Sequence, residues 1–172
     1  LNHLPCLRFD GSDDYFDFDG RFLANSNFTI FVVESRRKSN TGYFISGQNQ
    51  EVNKVLHLGY EDDRRVKFMY GDPFFVEDAV PAYSIPVARL HTIGFNFVNG
   101  KTYKINSVSI GDGSASTQAL ESYEQATIGR FLSFDYYGGD IAEIVIFNKS
   151  LKSSEIREIE NYLVKKWKIT LT

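Results

Sequence analysis

Short runs in which apolar and polar residues alternate recur along the chain, and Gly, Asn, Asp and Ser separate each run from the next. Because successive side chains of a β-strand point to opposite faces, this period-two pattern between turn residues predicts an all-β sandwich. The predicted strands cover residues 6–9, 15–18, 28–35, 42–47, 55–60, 65–70, 87–96, 101–110, 126–129 and 139–147.

The last of these runs is apolar on both faces. Strict alternation places Ile141, Val145 and Phe147 on one side and Ala142, Ile144 and Ile146 on the other. A strand of this kind must be covered twice, by a second sheet on one face and by another element on the other.

A helix directly after that strand is the predicted cover. Ile156, Ile159, Leu163 and Trp167 recur at helical spacing and form one apolar stripe, whereas Glu158 and Glu160 are expected to face outward. A hydroxyl of Ser153 or Ser154 suits the helix start. The pattern therefore predicts two antiparallel sheets with one C-terminal helix packed on a sheet.

Turn chemistry supports the same architecture. Asn99-Gly100 lies between two strand-like runs, and both residue types tolerate the positive φ of a tight hairpin. No linker or internal repeat interrupts the 172 residues, so we expect a single domain over residues 1–172. The absence of an initiator Met and of a signal-like opening predicts a piece processed or excised from a longer protein.

Composition narrows the classes of partner. A net charge of -3 gives no broad basic surface, which argues against nucleic acid. No apolar run approaches the roughly 20 residues of a membrane span. The single Cys6 cannot form an intramolecular disulfide.

Three segments, in order, carry a family resemblance. They are LRFDGSDDYF at residues 7–16, LHTIGFNFVNG at residues 90–100, and the closing strand and helix start at residues 139–155. Together they resemble laminin-G-like domains of the concanavalin A-like lectin/glucanase superfamily. The resemblance implies a jelly-roll sandwich and a location outside the cell, at a cell surface or on a virion. Ala142 departs from the pattern, because many relatives carry Asp there.

Catalysis lacks its signature. Glucanases on this fold place acids on one strand as Glu-x-Asp-x-x-Glu, because two carboxyl groups about 5 Å apart must flank one glycosidic bond. No such run is present. His3, His57 and His91 show no metal-ligand spacing, and His91 matches a structural position of the family. We therefore predict a protein that is not an enzyme.

Calcium is the cofactor that the resemblance brings into question, because the loops of such domains often hold one. Asp10 and Asp13 lie in the acidic first segment, and Asp140 precedes the last strand. Carboxylate oxygens are ligands that Ca²⁺ prefers, so these three residues are the predicted metal ligands. The alternative is that such aspartates only form turns.

Glycan recognition requires exposed rings beside hydrogen-bonding groups. Phe134 and Tyr136 lie in a glycine-bounded segment, and Phe74 and Tyr83 flank an irregular stretch. We predict these four as ligand-binding residues and prefer Tyr136 to Tyr137, which stands beside structural glycines. The alternative is that aromatic residues of a sandwich are core.

A cationic run adds a second type of contact. Arg36 and Arg37 precede Lys38 at a predicted hairpin tip, where they are candidates to bind an acidic glycan or partner. Such runs also occur as merely solvated turns.

Three functions from different classes follow. The first is a non-catalytic binding or adhesion module that recognises a carbohydrate or a cell-surface partner. The second is a structural interaction module of a virion, tail fibre, filament or large surface protein, in contact with neighbouring domains or subunits. The third, a glucanase-like hydrolase or lyase, is disfavoured by the missing acid pair. Fold alone does not choose among them.

Overall fold

The computed structural model describes residues 1–47, 49–51, 54–62, 65–71, 76–78, 86–112, 120 and 125–171. Within these residues the chain forms twelve β-strands, a short 3-10 helix at Arg21–Leu23 and one α-helix. The elements are β1 (Leu7–Asp10), β2 (Phe16–Asp19), β3 (Phe28–Arg36), β4 (Gly42–Gly47), β5 (Val55–Tyr60), β6 (Arg65–Gly71), β7 (Val76–Asp78), β8 (Ala88–Asn96), β9 (Gly100–Ile105), β10 (Val108–Asp112), β11 (Gln125–Ile128), β12 (Gly138–Phe147) and α1 (Ser153–Trp167).

The strands form two six-stranded antiparallel sheets. Sheet I has the order β1-β12-β3-β8-β9-β10, and sheet II has the order β2-β11-β4-β5-β6-β7. The pairings within each sheet are antiparallel. The predicted jelly-roll sandwich of two antiparallel sheets with one C-terminal helix is confirmed.

Strand β3 shows why the chain folds in layers. Ile30 and Val32 lie in the core between the sheets, while Phe31 and Val33 lie in a second core with Leu163 of the helix. Both faces of β3 are therefore buried, and sheet I is the shared middle layer.

Strand β12 is also covered twice, but the predicted assignment of its faces is wrong. Ile141 lies in the inter-sheet core with Ile144 and Ile146, whereas Val145 and Phe147 face the helix with Ala142. The pairing of β12 with β3 shifts register between Ile141 and Glu143. Such a bulge adds one residue and changes the face of everything that follows.

The helix lies where the apolar stripe predicted, although two details differ. Lys152 rather than a serine is the N-cap, and its backbone N–H donates to Glu155 Oε2 at 2.7 Å. Glu160 is buried rather than outward, because it accepts a 2.8 Å hydrogen bond from Thr92 Oγ1 of β8. At the other end, Trp167 Nε1 donates to Glu143 Oε2 at 2.6 Å.

The turns confirm one prediction and correct another. Asn96 of β8 pairs with Gly100 of β9, and Gly100 takes a φ of +79°, so the predicted hairpin is present. The predicted single strand over 101–110 is two strands, because Asn106 and Ser107 both adopt positive φ. Strand β7 was not predicted.

Candidate functional site

Three loops meet at one end of the sandwich. The backbone N–H groups of Arg37 and Lys38 both donate to Gly138 O, at 2.8 and 3.0 Å. Asn40 Nδ2 donates to Tyr136 O at 3.2 Å, which ties the same two loops together. The first loop joins them, because a Cβ placed on Gly11 would lie 3.1 Å from Gly138 Cα. We call residues 10–14, 36–41 and 134–138 the rim.

Asp140 anchors the rim from below. Its buried carboxylate accepts a 2.7 Å hydrogen bond from Arg8 Nε and a 2.8 Å hydrogen bond from Arg37 Nε. Burial opposes ionisation of this carboxyl, but the hydrogen bonds from Arg8 and Arg37 outweigh it and hold its pKa below the ordinary value. The Arg37 side chain, 43% exposed, is therefore held in place at the rim.

Arg36 does not belong to the exposed tip, and this expectation is corrected. The residue is buried, its Nη2 donates to Asn40 O at 2.6 Å and to Asp62 O at 2.7 Å, and its guanidinium lies 4.1 Å from the centre of the Tyr60 ring. Strand β3 continues through Arg36, so alternation turns this side chain inward. Arg37 and Lys38 remain as the exposed cations.

The predicted aromatic residues fall into three groups. Phe134 is 46% exposed and packs edge-on against buried Phe131, while Tyr136 is partly exposed. Tyr137, the alternative to Tyr136, is buried, and its hydroxyl donates to Glu34. The last two, Phe74 and Tyr83, lie outside the described residues.

The acidic loop of the rim gathers three carboxylates, those of Asp10, Asp13 and Asp14, whose oxygens lie within 4.8 Å of one another. Asp10 Oδ1 accepts hydrogen bonds from the backbone N–H of Ser12 at 2.7 Å and of Asp13 at 3.3 Å. The Ser12 bond is the main cause of a lowered pKa at Asp10. The third carboxylate beside Asp10 and Asp13 is therefore that of Asp14, whereas the predicted third ligand, Asp140, is bound to Arg8 and Arg37.

A hub of hydrogen bonds fills the sandwich interior behind the rim. Glu34 accepts from the hydroxyls of Tyr60 and Tyr137, and His91 Nε2 lies 3.0 Å from Glu34 Oε1. His91 Nδ1 lies 2.9 Å from the Tyr103 hydroxyl. Both Glu34 and His91 are fully buried, which agrees with a structural role for His91. Glu34 was not singled out in the sequence, and its contact with His91 depends on the pairing of β3 with β8.

The outer face of sheet II carries a cluster that sequence reasoning missed. The His57 ring stacks on Tyr43, with centroids 4.6 Å apart, and meets Phe131 at 4.1 Å. His57 is only 7% exposed, and neither ring nitrogen has a hydrogen-bond partner among the residues that the structure describes. Burial, with a smaller contribution from Lys67, lowers the pKa of His57 to about 3. The sequence signal for this cluster was the alternation of His57 with the apolar residues Leu56 and Leu58, which places His57 on the outer face of β5.

An apolar crevice opens between the edge strands β1 and β2. Its volume is about 320 Å³, and Phe9, Phe16 and Ile141 are among its lining residues. Leu7 and Phe16 at its mouth are about half exposed.

No helix within the described ranges is long and apolar enough to cross a membrane.

Comparison with known proteins gives likeness of fold without likeness of sequence. No family model matches the chain, and no curated protein matches it. Among solved structures, Trypanosoma rangeli sialidase in complex with sialic acid aligns at a TM-score of 0.69 with 18% identity, over 96% of this chain and 28% of the sialidase chain. The chain thus spans little more than a quarter of that enzyme.

Two further structures share the fold. Domain 4 of AbnA, a GH43 extracellular arabinanase from Geobacillus stearothermophilus, in complex with arabinotriose, aligns at a TM-score of 0.71 with 12% identity, over 90% of this chain and 76% of that one. The receptor binding domain of botulinum neurotoxin D aligns at 0.68 with 13% identity, over 91% and 43%. At such identities the likeness shows the jelly-roll fold alone.

Proposed function

We propose that this chain is a non-catalytic binding domain, laminin-G-like in type, that recognises a carbohydrate or a cell-surface partner through the rim. The observation that carries the proposal is the convergence of the loops on Gly138, which places the cations Arg37 and Lys38 beside the loop bearing Phe134 and Tyr136. Partly exposed rings next to cationic and amide donors suit a sugar, which has an apolar face and polar edges.

The disposition of the acids supports binding over hydrolysis. Glu34 is fully buried and accepts from two tyrosines, so it has no access to a substrate. Asp140 is buried under two arginines. A glycosidase needs two carboxyl groups that both reach the scissile bond, and these acids do not offer such a pair.

A glycan array tests the proposal. We expect saturable binding to a subset of glycans, and we expect the Lys38→Ala and Tyr136→Ala variants to lose about tenfold or more in affinity, since each loses contacts worth about 1–2 kcal/mol. Tyr162→Ala is the matched control, because Tyr162 is an exposed tyrosine on the helix, remote in sequence from the rim loops. Silence across a broad array, or equal loss in the control, would count against the rim.

We further propose that the acidic loop holds Ca²⁺ through Asp10 and Asp13, with Asp14 as a third ligand. The three carboxylates are exposed and close together, and Asp140 contributes by fixing Arg37 rather than as a ligand. Calcium at ten times its Kd should stabilise the folded protein by about 1.4 kcal/mol. Thermal unfolding should show this rise in the wild type and not in Asp13→Asn. A midpoint indifferent to both calcium and chelator would overturn it.

A second candidate function rests on the apolar crevice. Exposed Leu7 and Phe16 lie at the open edges of both sheets, and apolar surface at a sheet edge favours contact with another protein. This favours the structural module, in contact with a neighbouring domain or subunit. Light scattering separates the two: a concentration-dependent dimer that Phe16→Ser abolishes would favour assembly.

We also propose that the domain, as one unit over residues 1–172, works outside the cell, at a cell surface or on a virion, within a larger protein. The lengths of the fold neighbours support the larger protein, because two of the three chains are much longer than the region that this fold covers. Protease accessibility of the parent protein on intact cells or particles is the test.

A further inference from the structure

The outer face of sheet I carries a polar pocket that is separate from the rim. It has a volume of about 250 Å³ and lies between the first turn of α1 and the β8–β9 hairpin. The pocket shares no residue with the rim loops.

Gly94 forms the floor of this pocket. It pairs with Thr29 of β3 on one side and with Thr102 of β9 on the other, so the missing side chain leaves a depression between two threonines. A Cβ at this position would lie 2.6 Å from Thr102 Oγ1. Glycine weakens a strand interior and marks places where another group approaches the backbone closely.

The two walls differ in chemistry. Leu151 and Ile156 provide an apolar wall on the helix side, and Ser153 adds a hydroxyl there. Thr102, Lys104 and Ser109 provide hydrogen-bonding groups on the sheet side. One apolar wall opposite a polar one matches a sugar ring, whose carbon face is apolar and whose edge is hydroxylated.

Charge selects the class of sugar. Lys104 is the one cation among the described residues that line the pocket, and its Nζ lies 4.0 Å from Glu160 Oε1. The carboxylate offsets the ammonium charge, so the pocket favours an uncharged ligand. A volume of 250 Å³ is below the range for drug-sized ligands, which fits one ring rather than a chain.

We propose that this pocket binds one uncharged sugar ring, as a second site on the face of sheet I that carries the helix. The site goes beyond the rim and does not depend on it. A chain with both sites would contact a branched glycan, or two glycans, at once, and such bivalency raises the overall affinity without new contacts.

The test is an amide NMR titration of the full chain with methyl glycosides of neutral hexoses, up to about 100 mM, because a single ring binds in the millimolar range. We expect saturable shifts at Gly94, Thr102 and Ser109. Gly94→Ala fills the floor and Thr102→Val removes a hydroxyl, so each should weaken binding about tenfold. Thr170→Val, an exposed threonine outside the pocket, should not.

Several outcomes would overturn the proposal. They are no saturable shift at these three amides with any of the hexoses, full binding by Gly94→Ala, or shifts with a methyl glucuronide alone. Thermal unfolding of each variant verifies the fold. If Gly94→Ala is unstable, Thr102→Val still tests the proposal, because the Thr102 side chain is exposed. Lys38→Ala separates the sites, because it should weaken rim binding about tenfold or more and leave these shifts unchanged.

Discussion

The imidazole of His57 lies between Tyr43 and Phe131, and within the described part of the chain neither nitrogen has a hydrogen-bond partner, so protonation would bury a charge. Its pKa falls from 6.5 to about 3 in the folded protein, and the unfolded chain therefore binds the proton more tightly. The contribution of His57 to the free energy of unfolding is therefore fully present above pH 6.5. It should decrease as the pH falls below this value, by about 1–2 kcal/mol at about pH 5.

Urea unfolding of wild type and His57→Phe at about pH 7 and pH 5 measures this dependence. The variant should lose the part of the pH dependence between these values that His57 causes. Both proteins retain Asp135, whose pKa burial raises, so the difference between them isolates His57. Equal pH dependence in the two proteins would mean that His57 finds a partner or solvent.

Glu34 and Glu143 are predicted to differ strongly in their effect on stability. Burial opposes ionisation of Glu34, yet hydrogen bonds and charge from His91 and Arg89 hold its pKa below the ordinary value. Glu34→Ala leaves two tyrosine hydroxyls and His91 without their acceptor, which should cost about 3–5 kcal/mol. Glu143→Ala, at a partly exposed position, should cost about 1–2 kcal/mol. Similar losses in chemical denaturation would contradict the hub.

Two charged residues, Arg36 and Glu160, are buried although the sequence predicted both to be exposed. The cationic run that begins at Arg36 was predicted to be an exposed tip, but β3 extends through Arg36 and alternation turns this side chain inward. Glu160 was expected outward because it is charged, and only the neighbouring strand supplies Thr92 to bury it. Partners distant in sequence leave no local signal.

Among the elements, α1 should unfold together with sheet I. Leu163 is fully buried under β3 and β8, whereas its neighbour Tyr162 is exposed. Leu163→Ala should cost about 2–5 kcal/mol and Tyr162→Ala less than about 0.5 kcal/mol. Helical circular dichroism and Trp167 fluorescence should give coincident transitions in both variants. Separate transitions would show that the helix is an independent unit.

Strand β12 illustrates why the presence of a strand is easier to predict than which of its side chains lie on each face of the sheet. Its apolar length and the helix after it were evident, so two covering layers followed. The bulge between Ile141 and Glu143 was not evident, because neither Gly nor Pro occurs at residues 141–143. One inserted residue exchanged the predicted faces. The Asn99-Gly100 turn, by contrast, was predicted because its conformation is local.

At the scale of the whole molecule, the alternation of apolar and polar residues predicted the two-sheet sandwich. It did not predict which loops and strands come together to form the rim and the pocket. Asp10, Arg37 and Tyr136 are far apart in sequence, and the strand order of sheet I is what brings their loops to one end. The pocket over Gly94 likewise depends on β3, β8 and β9 lying side by side. Such sites require the topology first.

The most direct test of the central claim is calorimetric titration of a glycan selected on the array into wild type and the Lys38→Ala/Tyr136→Ala double variant. We predict saturable binding by the wild type, a loss of about a hundredfold in the double variant with its unfolding midpoint retained, and recovery of the glycan uncleaved. Undiminished binding by the double variant, or release of shortened sugar by the wild type, would contradict the account.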